Sequence, residues 1–298
     1  MTPLDDPEVC RSILDSLSVG VYLVDPDRKI IFWNAGAERM TGYLRHEVVG
    51  RHCRNDILVH SDHQGHSACG SSCPLHAAIH DGQHGESHLY FHHRAGHRVP
   101  VLVRAIPLRD RSGTIIGAAE IFEEPRPGSY VERRHNTGHA QAYADPVTQL
   151  PNHNVCQMRL RIFLSTFAQE SLPFSILIIR VSDIQAFSAE HGAEAGRLLM
   201  RAIGETLANT VRYNDFAGRW SDDEFLMILA NCEPGRVPFV GERICSVAAA
   251  ASIHWWGDEL SASVSFGAAS AQEGDTMESM ISRATKMIEA RQGKAAGA

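Results

Sequence analysis

No apolar run in this sequence approaches membrane-spanning length. The opening residues, Met1-Thr2-Pro3-Leu4-Asp5-Asp6, lack the basic stretch followed by apolar residues that marks a secretory signal. Positive charge is scarce as well: 28 Lys and Arg against 35 Asp and Glu leave a formal net charge of −7. Nucleic-acid affinity driven by phosphate needs clustered Lys and Arg, so that class of partner is not expected. These absences predict a soluble, cytoplasmic chain with no membrane role. Thiols stay reduced in that compartment, so the seven cysteines read as free thiols or metal ligands and not as disulfides. The 298 residues suggest two domains of ordinary size, and 44% hydrophobic residues suffice to fill a core in each.

The N-terminal half begins with a helical pattern over 8–17, then a strand at 19–24 closed by the turn Asp25-Pro26-Asp27-Arg28. A second strand, Ile30 to Trp33, leads to Asn34, which caps a short helix through Met40 that stops at Gly42. Strands at Ser87–His93, Arg98–Leu108 and Thr114–Phe122 complete an antiparallel sheet, with Asp110-Arg111-Ser112-Gly113 as the last hairpin turn. The run from Val24-Asp25 through Asn34-Ala35-Gly36-Ala37-Glu38 and Thr41-Gly42-Tyr43 resembles a PAS domain, and the later strands agree with it. The resemblance covers about 8–124 and implies a sensing and dimerising module, one whose ligand the fold alone does not name.

An insert from about 52 to 82 departs from a plain pattern of that kind. It holds Cys53, His60, His63, His66, Cys69, Cys73, His76 and His80, and eleven of the 17 histidines lie between 52 and 97. Three thiolates and one imidazole make a four-coordinate set suited to zinc, and the expected ligands are Cys53, His60, Cys69 and Cys73. His60 is chosen because Ile57-Leu58-Val59 should hold it inward. Cys73 precedes Pro74, which puts its thiol at a helix N-cap where the dipole favours thiolate. An iron–sulfur cluster or haem uses the same residue types, and the Cys-x3-Cys spacing does not choose among them.

Residues 125–144 read as a linker: Pro and Gly break the sheet at 124–128, and the composition from Tyr130 onward permits a short helix. From 145 onward, a helix over 155–167, a buried strand over 173–181, a helix over 194–209, a hairpin, a helix near 236–251, a strand at 261–268 and a closing helix from about 276 to 291 predict an α/β (α+β) sandwich on a mixed sheet.

The second half is organised around Arg219-Trp220-Ser221-Asp222-Asp223-Glu224-Phe225. Ser-Asp-Asp is turn chemistry between apolar strands, so the stretch reads as a hairpin tip with acidic side chains crowded where a divalent cation could carry a nucleotide triphosphate. It resembles the signature turn of the GGDEF domains, the diguanylate cyclases, with both glycines replaced. The opening run Asp145-Pro146-Val147-Thr148-Gln149-Leu150-Pro151-Asn152-His153 and the strand Ser261 to Gly267 are similar to further family motifs. The resemblance implies two GTP molecules joined across a dimer with two Mg²⁺ ions, held by a strand carboxylate and by the third turn position. Asp223 fills the turn position, but Arg180 stands at the strand position, and Asp183 would reach it only with a one-residue shift. Ser188 and Arg197 stand where the family reads guanine, and Ser221 and Asp222 crowd a backbone that glycine leaves open. Asp223, Glu224 and Arg219 therefore read as vestigial.

Arg212-x-x-Asp215 resembles the family's product site, where Arg binds a guanine edge or a phosphate and Asp accepts from guanine N–H groups. The expectation is a dimeric signalling protein with a PAS sensor and an inactive GGDEF domain that binds cyclic di-GMP or GTP and works through an unknown downstream partner. Two alternatives remain open here: an active cyclase under PAS control, with Mg²⁺, and a dimerisation scaffold that binds no nucleotide.

Overall fold

The computed structural model describes residues 6–53, 57–70, 73–125 and 143–295, with side-chain surroundings as far as residue 290. The chain divides into two compact units, 1–127 and 128–298. The linker expected at 125–144 lies almost wholly outside the described residues.

In the first unit, α1 (Pro7–Ser16) is capped by Asp6, whose side chain accepts from Glu8 N. β1 (Gly20–Val24) and β2 (Ile30–Trp33) pair antiparallel. Asn34 then caps α2 (Ala35–Thr41) through Ala37 N, and Gly42 ends it in the left-handed region. Asn34 also accepts from Val21 N at 2.8 Å and donates to the carbonyls of Leu14 and Val19, so one amide ties the helix entry to β1. Helices α3 (Arg45–Val48) and α4 (Pro74–His80) precede β3 (Gly85–His92), β4 (Arg98–Arg109) and β5 (Ile115–Glu123). The five strands lie in the order β2-β1-β5-β4-β3. Tyr22, Trp33, Phe91, Phe122, Ile57, Leu58 and Leu75 form the core between the sheet, the helices and the insert.

The second unit contains α5 (His153–Glu170), β6 (Phe174–Val181), α6 (Ile184–His191), α7 (Ala193–Thr210), β7 (Phe216–Arg219), β8 (Glu224–Ala230), α8 (Val237–Ala249), β9 (Ser252–Trp255), β10 (Asp258–Ser261), β11 (Val264–Ser270) and α9 (Met277–Ala295). Its main sheet runs β11-β6-β8-β7, and every described pairing is antiparallel, so the expected mixed sheet is corrected. Alternation on the buried strands makes two cores. Leu177, Ile179, Val181, Phe225, Met227 and Leu229 face α7 and α8. Ile176, Ile178, Leu226 and Ile228 face α5 and α9. With no polar face to spare, the central strands read as continuous apolar runs, and the sheet sits between two helical layers. The strand expected at 261–268 is corrected too: Ser261 ends a separate hairpin, β9–β10, and β11 starts at Val264.

Candidate functional site

The signature turn joins β7 to β8, and the opening run of the unit grips it. Asp145 Oδ1 accepts from Thr148 N and Oγ1, both at 2.7 Å, which closes a loop ahead of α5. From that loop Pro151 O accepts Arg219 N at 2.8 Å, and His153 Nδ1 lies 2.7 Å from Trp220 O. Arg219 folds back on the turn: its Nε donates to Ser221 O at 2.6 Å and its Nη2 to Asp222 O, with the guanidinium 4.9 Å over the Phe225 ring. Burial pulls its pKa down, against the nearby Asp145, Asp222 and Asp223 carboxylates, which raise it. Arg219 thus fastens the turn from within.

At the strand position where the family resemblance expects a metal ligand, the register is fixed by the strand pairing. Arg180 on β6 lies directly opposite Glu224 on β8, and Val181 N donates to Asp223 O at 2.8 Å. Arg180 Nε and Nη2 both donate to Glu224 Oε1, at 3.0 and 2.7 Å, with the two side chains 21% and 13% exposed. A guanidinium therefore occupies the space between strand and turn, and a turn carboxylate neutralises it. Ser221 Oγ donates to Asp223 Oδ1 at 2.9 Å. Asp183 is exposed, in the left-handed region at the entry to α6 and beyond the end of β6. It is not slipped into the strand. Ser188 Oγ donates to Ile184 O within its own helix at 2.7 Å, and Arg197 pairs with Glu194 one turn earlier. These bonds hold both side chains to their own helices and not toward the turn.

Arg212 and Asp215 lie at the opposite end of β8. Asp215 Oδ1 accepts from Ala230 N and Oδ2 from Arg212 N, both at 3.0 Å. The carboxylate thus clamps the loop after α7 to the end of β8, while each oxygen keeps another lone pair. Beside it lies a small concavity lined by Arg212, Asp215, Asn231, Cys232, Arg236 and Arg243, among others. The arginines at 236 and 243 were missed in the sequence. Their spacing of two helical turns was the available signal, since it puts both on one face.

In the first unit the insert brings thiols and imidazole to one neighbourhood without building the expected four-ligand set. Among the described residues no group of three or more His, Cys, Asp or Glu is gathered around one ion position. His60 is 2% exposed, stacks on Phe91 at 4.3 Å between ring centroids, and turns Nε2 toward Glu120 Oε1 at 3.6 Å. Its backbone N–H donates to Cys69 Sγ at 3.2 Å. Cys53 and Cys73 are 5% and 3% exposed. Burial pushes the Cys53 thiol up to about 12 and raises Cys69 and Cys73 as well. That corrects the expectation that the N-cap favours thiolate at Cys73: N–H groups of Leu75 and His76 do lower its pKa, but burial outweighs them.

Glu120, unremarked in the sequence, is 0% exposed on β5. Burial pushes its carboxyl up to about 8, against a lowering hydrogen bond from Tyr22 Oη to Oε1 at 2.8 Å. Burial, helped by the Arg98 charge, pulls His60 down to about 3. The two are close enough for an ion pair, but each is neutral near pH 7. The signal for Glu120 was its phase: on β5 it alternates inward with Ala118 and Phe122.

The family described as "Diguanylate cyclase, GGDEF domain" matches residues 142–297, more than half of the 298. The chain belongs to the GGDEF family. A PAS domain matches residues 18–124. Among curated relatives, the "Probable diguanylate cyclase DgcE" of Escherichia coli is 25% identical over 237 residues, which is 78% of this chain and 20% of that protein. Diguanylate cyclase DgcP of Escherichia coli is 30% identical over 106 residues, 35% of this chain and 31% of that protein. The chain thus spans a fifth to a third of these relatives. The diguanylate cyclase SiaD of Pseudomonas aeruginosa, solved in complex with its activator SiaC, aligns with a TM-score of 0.50 at 21% identity, over 52% of this chain and 60% of that one. At that identity the likeness speaks for the fold alone. Among the described residues, no helix is long and apolar enough to cross a membrane.

Proposed function

We propose that this PAS–GGDEF chain is a signalling receptor whose GGDEF domain does not make cyclic di-GMP but binds it at the concavity beside Arg212 and Asp215. The observation that carries the reading is the Arg180–Glu224 pair. An active site of this family needs Mg²⁺ to draw charge off the α-phosphate and the leaving pyrophosphate. Here a fixed positive charge fills the space a strand carboxylate should leave for the cation. At ~4 Å a guanidinium and a divalent ion repel by several kcal/mol even at an effective dielectric of about 20. Glu224 is turned to that guanidinium, and Asp223 at the third turn position accepts from Ser221 Oγ, so the strand donor is lost and the turn acids are engaged with their own neighbours.

The concavity supports the binding half of the proposal. Arg212, Arg236 and Arg243 offer guanidiniums to two phosphates, and Asp215 retains lone pairs for guanine N–H groups. A homodimer and a downstream protein partner belong to the same reading, and light scattering of the purified chain tests the first.

Incubation of purified protein with GTP and Mg²⁺ is expected to give no cyclic di-GMP. Calorimetric titration with cyclic di-GMP is expected to give heat at tens of micromolar, weakened roughly tenfold or more in Arg212→Ala, since a charge-assisted bond contributes ~1.5–3 kcal/mol. Binding lost in Asp223→Ala but kept in Arg212→Ala would place a nucleotide at the former active site and make the protein a GTP sensor. An absence of heat with either nucleotide would leave the dimerisation scaffold.

A further inference from the structure

Among the described residues, the most exposed Phe, Tyr and Trp side chains are Trp256, Tyr213 and Phe239, at 91%, 83% and 75%. A single ring in water is ordinary on a protein surface. Two of these three, however, flank the arginine-lined concavity of the second unit. Tyr213 follows Arg212, inside a turn closed from both ends: Asp215 N donates to Arg212 O at 3.1 Å, and Arg212 N donates to Asp215 Oδ2 at 3.0 Å. Asp215 Oδ1 ties that turn to the end of β8 through Ala230 N. The backbone that carries the Tyr213 ring is therefore held, while the ring itself stands in solvent.

Phe239 lies on α8, three residues after Arg236 and four before Arg243, spacings that put neighbours on one helix face. Val240, the next residue, lines the concavity. Trp256 differs: it turns the β9–β10 hairpin, and neither of its chain neighbours is part of the lining. The site therefore offers three kinds of contact. Guanidiniums suit phosphate, the Asp215 carboxylate suits a guanine edge, and a bare ring suits the flat face of a base. Stacking on an aromatic side chain tightens base binding roughly tenfold or more.

The two rings come from different elements, one from the loop after α7 and one from α8, so they suit a ligand with two bases joined through phosphates. On the receptor reading above, on which this inference rests, we propose that Tyr213 and Phe239 are the base-stacking residues of the cyclic di-GMP site, each taking one guanine while the arginines of the concavity hold the phosphates. Exposed rings beside arginines also anchor protein partners, but such anchors sit at the desolvated centre of a patch ringed by further contacts. Here guanidiniums line the centre and the rings flank it, an arrangement that binds charge in the middle and flat groups at the edges.

Calorimetric titration of the full chain with cyclic di-GMP tests the stacking role. Tyr213→Ala and Phe239→Ala should each weaken binding roughly tenfold. That loss should be the same at low and at high salt, because stacking is not screened, whereas the loss in Arg212→Ala should shrink as salt rises. Tyr213→Phe removes only the hydroxyl and should recover most of what alanine loses, while Phe239→Leu keeps apolar bulk without a π-face and should bind as weakly as Phe239→Ala. Trp256→Ala should bind like the parent. Both rings stand in solvent, so urea midpoints of the ligand-free variants should match the parent and separate lost affinity from lost fold. Tyr213→Ala and Phe239→Ala binding like the parent while Arg212→Ala does not would overturn the stacking role, leave the receptor reading intact and assign the rings to a protein contact. Phe239→Leu binding like the parent would also overturn it, as would a ring-variant loss that follows salt. No heat from the unaltered chain would overturn the receptor reading and the stacking role together.

Discussion

Arg180 changes what its neighbours can do. Arg180→Asp alone would set a new carboxylate face to face with that of Glu224 across a register-paired position, with no cation between them, so the single variant should depend on Mg²⁺ for stability. Combining Arg180→Asp with Ser221→Gly and Asp222→Gly is expected to recover weak Mg²⁺-dependent GTP binding, read by titration with and without chelator. Turnover should stay absent while Ser188 and Arg197 remain. Cyclic di-GMP formed by the unaltered protein and abolished in Asp223→Ala would refute the inactive reading. Asp215 behaves differently. Because both its oxygens hold backbone amides, Asp215→Ala should cost about 1–3 kcal/mol of stability through the stranded N–H groups, measurable by urea unfolding of the ligand-free protein. Loss of ligand binding in that variant would therefore carry less weight than the same loss in Arg212→Ala. The departures at 180, 188, 197, 221 and 222 were legible in the sequence because a motif fixes their register. The role of Glu120 was not, since an isolated acid in an apolar strand gains meaning only from what the fold places beside it.

Elements with a strong local signal emerged where expected: Asn34 ahead of α2, Gly42 after it, and the apolar run that becomes β6. Among the elements the sequence missed, two were missed for physical reasons. Helix α6 starts from Asp183 in the left-handed region and has no capping hydrogen bond, so no cap signal announces it. The β9–β10 hairpin turns through Trp256 and Gly257, both at positive φ, and a tryptophan there is not recognisable turn chemistry. The signature hairpin depends on contact as well as on turn residues. A Cβ at Gly218 would stand 2.5 Å from Cys156 Sγ and 2.8 Å from Pro151 O, the carbonyl that accepts Arg219 N. Gly218→Ala must therefore push the opening loop off β7. A cost of about 1–3 kcal/mol is expected from such overpacking, with a lower urea midpoint at unchanged slope. A midpoint like that of the parent would mean the loop yields freely and does not brace the turn.

At the scale of the whole chain, each unit owns its core, and no described hydrophobic cluster draws residues from both. Independent cores predict two unfolding transitions and not one cooperative loss. The ligand proposal then makes a claim about one unit alone. A ligand that binds only the folded form stabilises its own unit by RT ln(1 + [L]/Kd), about 2.7 kcal/mol at a hundredfold excess over Kd. Cyclic di-GMP should therefore raise one transition and leave the other where it was. Calorimetric scans of the full chain with and without the ligand check this, and Arg212→Ala should remove the shift. If cyclic di-GMP moved both transitions, the units would be energetically coupled, and the size of the second shift would measure how much free energy passes between them.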